Sequence, residues 1–187
     1  MKVVGLTGTI ASGRSLVKDS LTKRFHCDYV SLSTLIMEES LKKKRIPVDK
    51  FNKQNLGNEL RQRYGSDALV KTAWNFMQKK KEVLIIDSIR NPGEIEFLRK
   101  NLGRDAIIIG VDAPREMRWE RVAKRNRATD PKTAEDFAKV DDRDQGANEP
   151  DYGQQVRKCI EMADYVLMND GSVEDFAKKC DEVVAKI

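Results

Sequence analysis

The chain has 187 residues, of which 40% are hydrophobic and 35% are charged, so its composition is that of a globular protein with a highly charged surface. Its 35 basic and 30 acidic residues leave a net charge of +5, which favours anionic partners without choosing among nucleotides, nucleic acid and acidic lipid. Three widely separated cysteines and a single histidine argue against a disulfide framework, a zinc site and a Ser-His catalytic triad.

The sequence carries no signal for export or membrane insertion. No apolar run approaches the ~18 residues that a membrane helix needs. The first apolar run, MKVVGLTG, is too short for a signal peptide. We therefore expect a cytoplasmic protein with reduced cysteines and no membrane partner.

Strands and helices alternate along the chain. Short apolar runs rich in β-branched residues predict strands that are buried on both faces of a parallel sheet, and the second of these runs is the weakest. The predicted strands are Val3–Thr7, Tyr29–Leu32, Val83–Asp87, Ala106–Asp112 and Tyr165–Met168. The predicted helices are Ser15–Phe25, Thr34–Lys44, Phe51–Tyr64, Asp67–Lys81, Glu94–Leu102, Arg115–Asn126, Thr133–Arg143, Gln154–Ala163 and Val173–Ile187. This alternation predicts right-handed crossovers and a three-layer α/β/α fold around a five-stranded parallel sheet.

The segment between the first strand and the first helix, GTIASGRS at residues 8–15, has the features of a phosphate-binding loop. Its spacing matches the Walker A pattern G-x-x-x-x-G-K-[ST], except that Arg14 stands where the pattern has lysine. Glycines let successive backbone N–H groups point at phosphate oxygens, and the helix N-terminus adds partial positive charge. The hydroxyl of Ser15 can ligate Mg²⁺. The residues expected to bind nucleotide phosphates are Gly8, Thr9, Ile10, Ala11, Ser12, Gly13, Arg14 and Ser15.

Arg14 leaves the activity of this loop open. Lysine is a compact charge that fits within such a loop, whereas arginine is longer, planar and forked. An arginine can still pair with phosphate, even bidentately. The loop is therefore compatible with a working kinase and also with a protein that binds nucleotide without turnover.

With this loop in its strand–helix context, the chain resembles the P-loop nucleoside monophosphate kinase-like proteins. It is most similar to their dephospho-coenzyme A kinase-like branch, often labelled AAA-family ATPases, and to the kinase-like domain of some deoxycytidylate deaminase-related proteins. The resemblance covers nearly the whole chain and rests chiefly on GLTGTIASGRS and LIIDSIRNPGEIE. It implies one kinase-like domain over residues 1–187, with a helical acceptor-binding insertion over about 33–81 and a lid over about 126–150.

The segment LIIDSIRNPGEIE ends a hydrophobic strand in Asp87 and places Arg90 in the following loop. It is similar to the Asp-x-x-Arg arrangement of the family. A carboxylate at a strand end beside the phosphate loop is well placed to hold Mg²⁺, directly or through water. The resemblance implies that Arg90 reaches the phosphate of the acceptor. The alternative is that Asp87 only caps the helix that begins near Pro92.

The segment YVSLSTLIMEE departs from the family pattern. Related kinases carry an aspartate and an arginine where this chain has Thr34 and Met37, so one arginine that grips the acceptor phosphate is absent. Ser31 and Ser33 remain as hydroxyl contacts, although Ser33 is also a plausible helix N-cap. Arg61 in the inserted helices is either a substitute clamp or a solvated helix charge.

The segment RWERVAKRNRATD carries the arginines of the lid that the resemblance implies. At helical spacing, Arg118, Arg121 and Arg125 share one face, and Arg127 follows. Lid arginines bridge donor and acceptor phosphates and neutralise the transition state. Arg125 is the best candidate and Arg143 the second. The alternative for each arginine is ordinary surface charge.

Three further segments have simpler explanations. The lysine runs LKKKR (41–45) and KKK (79–81) lack the interleaved aromatic residues that stack on bases, so nucleic acid is not an expected partner. They lie at predicted helix C-termini, where the helix dipole favours lysine. NDGS (169–172) resembles the loop beside adenine in related kinases, and is equally well explained as a turn.

The sequence therefore favours a phosphotransferase that uses ATP and Mg²⁺ and acts on a small (deoxy)nucleotide-like acceptor. Dephospho-coenzyme A is the second acceptor. The other hypothesis is a nucleotide-binding sensor or pseudokinase, motivated by Arg14, Thr34 and Met37. The predicted catalytic residues are Arg14, Asp87, Arg90 and Arg125, and the predicted Mg²⁺ ligands are Ser15 and Asp87. The choice between ATP and GTP and the oligomeric state stay open.

Overall fold

The computed structural model describes residues 1–77 and 81–187, and its description of residues 36–38 is confined to the backbone. Five strands form one parallel sheet in the order β2-β3-β1-β4-β5. They are β1 Lys2–Gly8, β2 Cys27–Ser31, β3 Val83–Ile89, β4 Ala106–Asp112 and β5 Tyr165–Met168. The five-stranded parallel sheet expected from the apolar runs is confirmed.

Helices lie on both faces of the sheet. The α-helices within the described residues are α1 Arg14–Arg24, α2 Glu39–Lys44, α3 Lys50–Tyr64, α4 Ala68–Phe76, α5 Pro92–Leu102, α6 Arg115–Arg125, α7 Ala134–Gln145, α8 Val156–Glu161 and α9 Val173–Val184. A π-helical turn precedes α2 at Ser33–Glu38, and a short 3₁₀ turn follows α5 at Gly103–Asp105.

Alternation along β1 assigns its side chains to two cores. Val3 packs in a core with residues of α3, α4, α5 and α8, such as Val70 and Leu98. The next residue, Val4, packs in a second core with α1 and α9 residues such as Phe176. Because successive side chains of a strand point to opposite faces, this pattern buries the sheet between two helical layers. The predicted three-layer α/β/α class is confirmed.

Three predicted helices differ from the observed ones. The predicted helix Thr34–Lys44 is split into the π turn and α2, since the mixed spacing of its apolar residues presents no single 3.6-residue stripe. The predicted helix Gln154–Ala163 is shorter because the Gln155 backbone N–H donates to the Arg90 carbonyl (2.7 Å) and lies outside the helix. The predicted helix Asp67–Lys81 ends at Phe76 in α4, and residues 78–80 lie outside the described part.

The topology gathers the carboxyl ends of three neighbouring strands at one edge of the sheet. β1 runs into the Gly8–Ser15 loop, while β2 ends at Ser31 and β3 passes through Asp87. A small third core of Ile10, Val122, Phe137 and Val140 packs the loop against α6 and α7. No helix among the described residues is long and apolar enough to cross a membrane.

Candidate active site

The Gly8–Ser15 loop forms a tight curl, and two positions in this curl require glycine. Gly8 and Gly13 have φ values of +152° and +109°. A Cβ on Gly8 would lie 2.2 Å from the Val111 carbonyl oxygen, and one on Gly13 would lie 2.4 Å from Asn169 Nδ2. Between them Ala11 adopts φ +60°, a conformation that L-residues rarely take. The backbone therefore has the tight curl that lets N–H groups converge on an anion.

Side chains from the β4 and β5 side hold this curl in place. Asn169 Nδ2 donates to the Ser12 carbonyl (2.8 Å), and Arg121 donates to Asn169 Oδ1 (3.1 Å) and to the Ala11 carbonyl (3.4 Å). Thr9 Oγ1 donates to Asp112 Oδ1 (2.8 Å) at the end of β4. These contacts order the loop, so Arg121 supports it from outside rather than lining the cleft.

Ser12 supplies a polar group that fits an anion. Its hydroxyl is buried and has no hydrogen-bond partner among the described residues. The Oγ atom lies 3.0 Å from where a Cβ on Gly8 would stand, across the curl of the loop. Buried hydroxyls nearly always find a partner, and a phosphate oxygen in the loop would accept this bond. The loop thus fits the phosphate that the sequence predicts.

Arg14 bridges the two ends of the site. Its Nε donates to Asp87 Oδ1 at 2.8 Å, and its NH1 donates to the Gly8 carbonyl. The Arg14 and Asp87 side chains are each 17% exposed. The guanidinium therefore lies between the start of the loop and β3, beside the place where the predicted phosphates would bind.

Asp87 lines the cleft beside the loop and is not the N-cap of α5. Its Oδ1 accepts from Arg14 and from the Ser88 N–H (2.6 Å), and its Oδ2 accepts from the Tyr29 hydroxyl (3.1 Å). Burial and the Asp87 carboxylate raise the pKa of Tyr29 to about 12. Asn91 caps α5 instead, since its Oδ1 accepts from the Gly93 N–H at 3.0 Å. The alternative that Asp87 caps this helix is wrong.

The predicted metal ligands fit a Mg²⁺ ion whose other coordination positions are filled by water and by phosphate oxygens of the substrate. Within residues 1–77 and 81–187, no cluster of three or more His, Cys, Asp or Glu side chains could hold a metal alone. Mg²⁺ keeps several waters and takes one or two protein oxygens together with phosphate oxygens. Ser15, which is exposed in the first turn of α1, and Asp87 offer such oxygens.

Arg90 lies in a buried ionic cluster. Its NH1 donates to Asp144 Oδ2 of α7, and Lys50 Nζ of α3 lies 3.7 Å from the same oxygen. Gln54 Nε2 donates to the other oxygen of Asp144 at 2.6 Å. Burial alone would raise the pKa of Asp144, but the Arg90 and Lys50 charges and the Gln54 bond lower it below its usual value. Burial and the Arg90 charge lower the pKa of Lys50 to about 7.

A cleft of about 340 Å³ brings the predicted catalytic residues together. Its lining includes Arg14, Asp87, Arg90 and Arg125. The charged side chains that line it are the cations Arg14, Lys50, Lys53, Arg90, Arg125 and Arg127, and the carboxylates Asp87 and Asp130. We refer to Lys50, Lys53, Arg90, Arg125 and Arg127 as the cationic wall. Because cations outnumber carboxylates six to two, the cleft suits an anion of more than one charge.

The hydroxyl-bearing segment after β2 lines the same cleft. Ser31, Ser33 and Thr34 contribute to the lining. Ser33 begins the π turn, and its N-cap alternative stays a prediction. The side chain of Met37, where the family pattern has an arginine, lies outside the described residues, as do residues 79 and 80 of the second lysine run.

Two arginines of α6 lie in different surroundings: one lines the cleft and the other is buried behind the phosphate loop. Arg125 pairs with Asp130 through two bonds of 2.7 and 2.8 Å and lines the cleft. Arg118, on the predicted face, is instead 2% exposed and donates to both oxygens of the fully buried Asp141. Its NH1 also approaches the Ile10 carbonyl of the loop at 3.5 Å.

Two other candidate arginines are bound away from the cleft. Arg143 donates to Glu149 and Asn55, both at 2.6 Å. Arg61 is 1% exposed and donates twice to Glu94 Oε1, at 3.0 and 2.8 Å. The alternative of Arg61 as a solvated helix charge is therefore wrong, and this ion pair joins α3 to α5.

Sequence reasoning missed two contributors to the site. Asn169 begins the NDGS loop and holds the Ser12 carbonyl, a role that the position directly after β5 at the site edge could have suggested. Lys50 starts α3 and reaches the cleft, but nothing local distinguishes it from the other lysines of a lysine-rich chain. Its burial follows from packing against α7.

Comparisons of the sequence with known proteins find a matching family and similar proteins. The sequence profile of a family described as an AAA domain matches residues 4–144. A UPF0200 protein of Thermococcus gammatolerans is 34% identical over 189 residues, covering 99% of this chain and 95% of the relative. A UPF0200/UPF0201 protein of Archaeoglobus fulgidus is 29% identical over 190 residues, and this chain spans 56% of its length.

Solved structures share the fold at low sequence identity. A gluconokinase from Sinorhizobium meliloti superposes with a TM-score of 0.59 at 9% identity, covering 99% of this chain and 92% of that one. A shikimate kinase from Aquifex aeolicus superposes with a TM-score of 0.52 at 14% identity, covering 98% and 96%. These likenesses show a P-loop kinase-like fold. The relation to deoxycytidylate deaminase-related proteins stays a prediction.

Proposed function

The chain belongs to the AAA domain family and to the UPF0200 proteins, and from that premise we propose that it is a P-loop phosphotransferase. In this proposal it uses ATP and Mg²⁺ and acts on a small, anionic, (deoxy)nucleotide-like acceptor. We place the activity in a reducing cytoplasm, because Cys27, Cys159 and Cys180 are all free thiols.

The single observation that carries the proposal is the convergence of Arg14, Asp87, Arg90 and Arg125 on one cleft beside the phosphate loop. They come from three separate segments of the chain, namely the loop, the end of β3 and the end of α6. Phosphoryl transfer asks a protein chiefly for positioning and for positive charge around the transferred group, with little covalent chemistry of its own. The cationic wall and the loop supply both.

Each group has a distinct part in the proposed reaction. The loop N–H groups and the Ser12 hydroxyl bind the donor phosphates. Arg14 and Arg125 stabilise the charge that develops on the transferred group, and Arg90 and Lys50 hold the anionic group of the acceptor. Ser15 and Asp87 are the residues that would hold Mg²⁺, which when bound neutralises charge on the phosphates.

A second candidate function is a nucleotide sensor with little turnover. The observation that favours it is the engagement of Arg14 by Asp87 and by the Gly8 carbonyl, which holds its charge on protein oxygens. The sensor hypothesis predicts that Arg14→Lys restores little activity. If the protein is a kinase in which Arg14 takes the role of the usual lysine, Arg14→Lys should retain turnover.

The test is ADP release from Mg-ATP and Mg-GTP, measured against a panel of acceptors. The panel holds nucleoside and deoxynucleoside monophosphates and dephospho-coenzyme A, with gluconate and shikimate as comparators that carry a carboxylate and no phosphate. Nucleotide binding is followed by calorimetry in parallel. Acceptor-dependent ADP release that Asp87→Asn abolishes supports the phosphotransferase. Tight nucleotide binding with no release above the blank supports the sensor.

A further inference from the structure

A second cavity of about 510 Å³ adjoins the cleft of the candidate active site. Both cavities are lined by Lys50, Thr129 and Asp130, so they meet at the start of α3. The second cavity differs in chemistry, because its floor includes the apolar side chains of Phe51, Pro131 and Val140 together with Ala128. No part of the proposed reaction uses this apolar space. A ligand in the cleft could extend into it past Lys50.

Phe51 is an aromatic residue in the lining of this cavity. Its side chain is 56% exposed, whereas phenylalanine is among the residue types most often buried. The Arg143 guanidinium carbon lies 5.3 Å from the ring centroid and covers one face. Arg143 is itself fixed by Glu149 and Asn55. The ring is therefore held in position while much of its surface stays open, as a stacking platform requires.

The charged side chains where the two cavities meet suit an anionic group at the other end of such a ligand. Lys50 and Arg90 share the single carboxylate of Asp144, so this cluster carries a net positive charge when Lys50 is protonated. An acceptor whose anionic group lies beside Lys50 would place an attached ring over the neighbouring residue, Phe51. The cluster and the platform thus recognise the two ends of one molecule.

The cleft runs from the phosphate loop towards this space and away from the β5 side of the loop. The loop follows β1, and the cleft extends from it past Asp87 on β3 to Ser31 on β2 and to α3. Asn169 and Arg121 support the loop from the opposite side, at β5.

We propose that the cavity floored by Phe51, Pro131 and Val140 binds a planar, uncharged ring of the acceptor, whose phosphate lies at Lys50 and Arg90. The acceptor class is then an aromatic-bearing phosphomonoester of the nucleoside monophosphate type, and Phe51 is a specificity-determining residue. This inference rests on the proposed function where it identifies the ligand as the phosphate acceptor. Binding of the ligand at this site can be tested without turnover.

The experiment compares calorimetric binding of nucleoside monophosphates with binding of ribose 5-phosphate, which has the same phosphate and sugar but no ring. A non-hydrolysable ATP analogue at saturation keeps the donor loop filled. Because a stacked base contributes strongly to binding, we expect at least one nucleoside monophosphate to bind about tenfold more tightly than ribose 5-phosphate. Phe51→Ala should remove this difference, and Phe51→Trp should keep it.

The matched control is Phe76→Ala, which removes a 73% exposed phenylalanine at the end of α4 and should leave binding unchanged. Equal binding of the two ligand classes, no binding of either, or an equal effect of Phe51→Ala and Phe76→Ala would overturn the inference. Ring-dependent binding without ADP release would refute the proposed function and leave the site standing. ADP release with gluconate alone would refute the ring-binding site and leave a phosphotransferase with a different acceptor.

Discussion

The phosphate loop and the cationic wall face each other across the cleft and are built in different ways. The loop is one continuous segment, Gly8–Ser15, whose ligand groups are mainly backbone N–H groups. The cationic wall gathers side chains from α3, from the end of β3 and from residues 125–127. The loop is held mainly by hydrogen bonds to its backbone carbonyls and by apolar packing, and the wall by ion pairs with Asp130 and Asp144.

This difference indicates which half of the site is fixed before a ligand arrives. Replacing a loop residue should disturb folding and binding together, because the loop shape depends on glycines and on buried partners. Replacing a partly exposed residue of the wall should change catalysis while leaving stability nearly intact. Helix α6 offers a direct comparison, since it carries Arg118 behind the loop and Arg125 on the wall.

The largest effect is expected for Arg125→Met on the wall. Removing a charge from the transferred phosphoryl group should lower kcat by about a thousandfold. The Arg125–Asp130 pair is partly exposed, so the free energy of unfolding should change by at most about 1 kcal/mol. Steady-state kinetics and urea unfolding measure the two quantities. The control is Arg104→Met, at an exposed arginine outside the cleft, and an unchanged kcat in Arg125→Met would remove Arg125 from the site.

The opposite pattern is expected for Arg118→Met behind the loop. It leaves the Asp141 carboxylate, which is 0% exposed, without its bidentate partner, and should destabilise the fold by about 4 kcal/mol. Urea unfolding checks the value, with Arg125→Met as the control from the same helix. The double variant with Asp141→Asn should recover part of the loss. A loss below about 1 kcal/mol would show that Arg118 is not a structural residue.

A smaller effect is expected for Gly8→Ala. The new Cβ would clash with the Val111 carbonyl and force the loop to shift, at a cost of about 3 kcal/mol, with loss of nucleotide binding. Gly103→Ala is the matched control, because Gly103 also has a positive φ but no atom within 4 Å of an added Cβ. Its cost should be about 1 kcal/mol, from backbone strain alone. Equal losses in the two variants would argue against a tightly packed loop.

The smallest effect is a pH dependence at Lys50. Its pKa is lowered to about 7 from 10.5, so the charged form is disfavoured in the folded protein and stability rises with pH between these values. An acceptor phosphate favours the charged form, so its affinity should be full below pH 7 and fall as pH rises. We expect about a tenfold decrease between pH 7 and 8.5, where phosphate itself no longer titrates. Calorimetry at several pH values tests this, and Lys50→Met should flatten the profile; a parallel fall in both proteins would exclude Lys50.

The sequence predicted the features that are local and missed those that join distant segments. The strands follow from runs of β-branched residues, and the loop from eight consecutive residues in a strand–helix context. The partners of the arginines could not be predicted in this way. Arg14 meets Asp87 across 73 residues, and Arg90 meets Asp144 across 54. Such pairs depend on how helices pack, which hydrophobic periodicity does not encode.

The segment after β2 is another place where the sequence pattern did not predict the local structure. An α-helix over Thr34–Lys44 was expected from composition, whereas the chain forms a π turn that brings Ser33 and Thr34 to the cleft. π turns are frequently found at functional sites because they widen the backbone and redirect side chains. The mixed spacing of the apolar residues disfavours one regular α-helix, but it does not specify a π turn.

The most direct test of the account is transfer of the γ-phosphoryl group itself. Mg-ATP labelled at the γ-phosphate is incubated with the wild-type protein and nucleoside monophosphate acceptors, and labelled product is separated and counted. We expect a labelled nucleoside diphosphate, formed about a thousandfold more slowly by Arg125→Met. Saturable ATP binding with no labelled product from any acceptor would contradict it, and would leave a protein that binds nucleotide phosphate without transferring it.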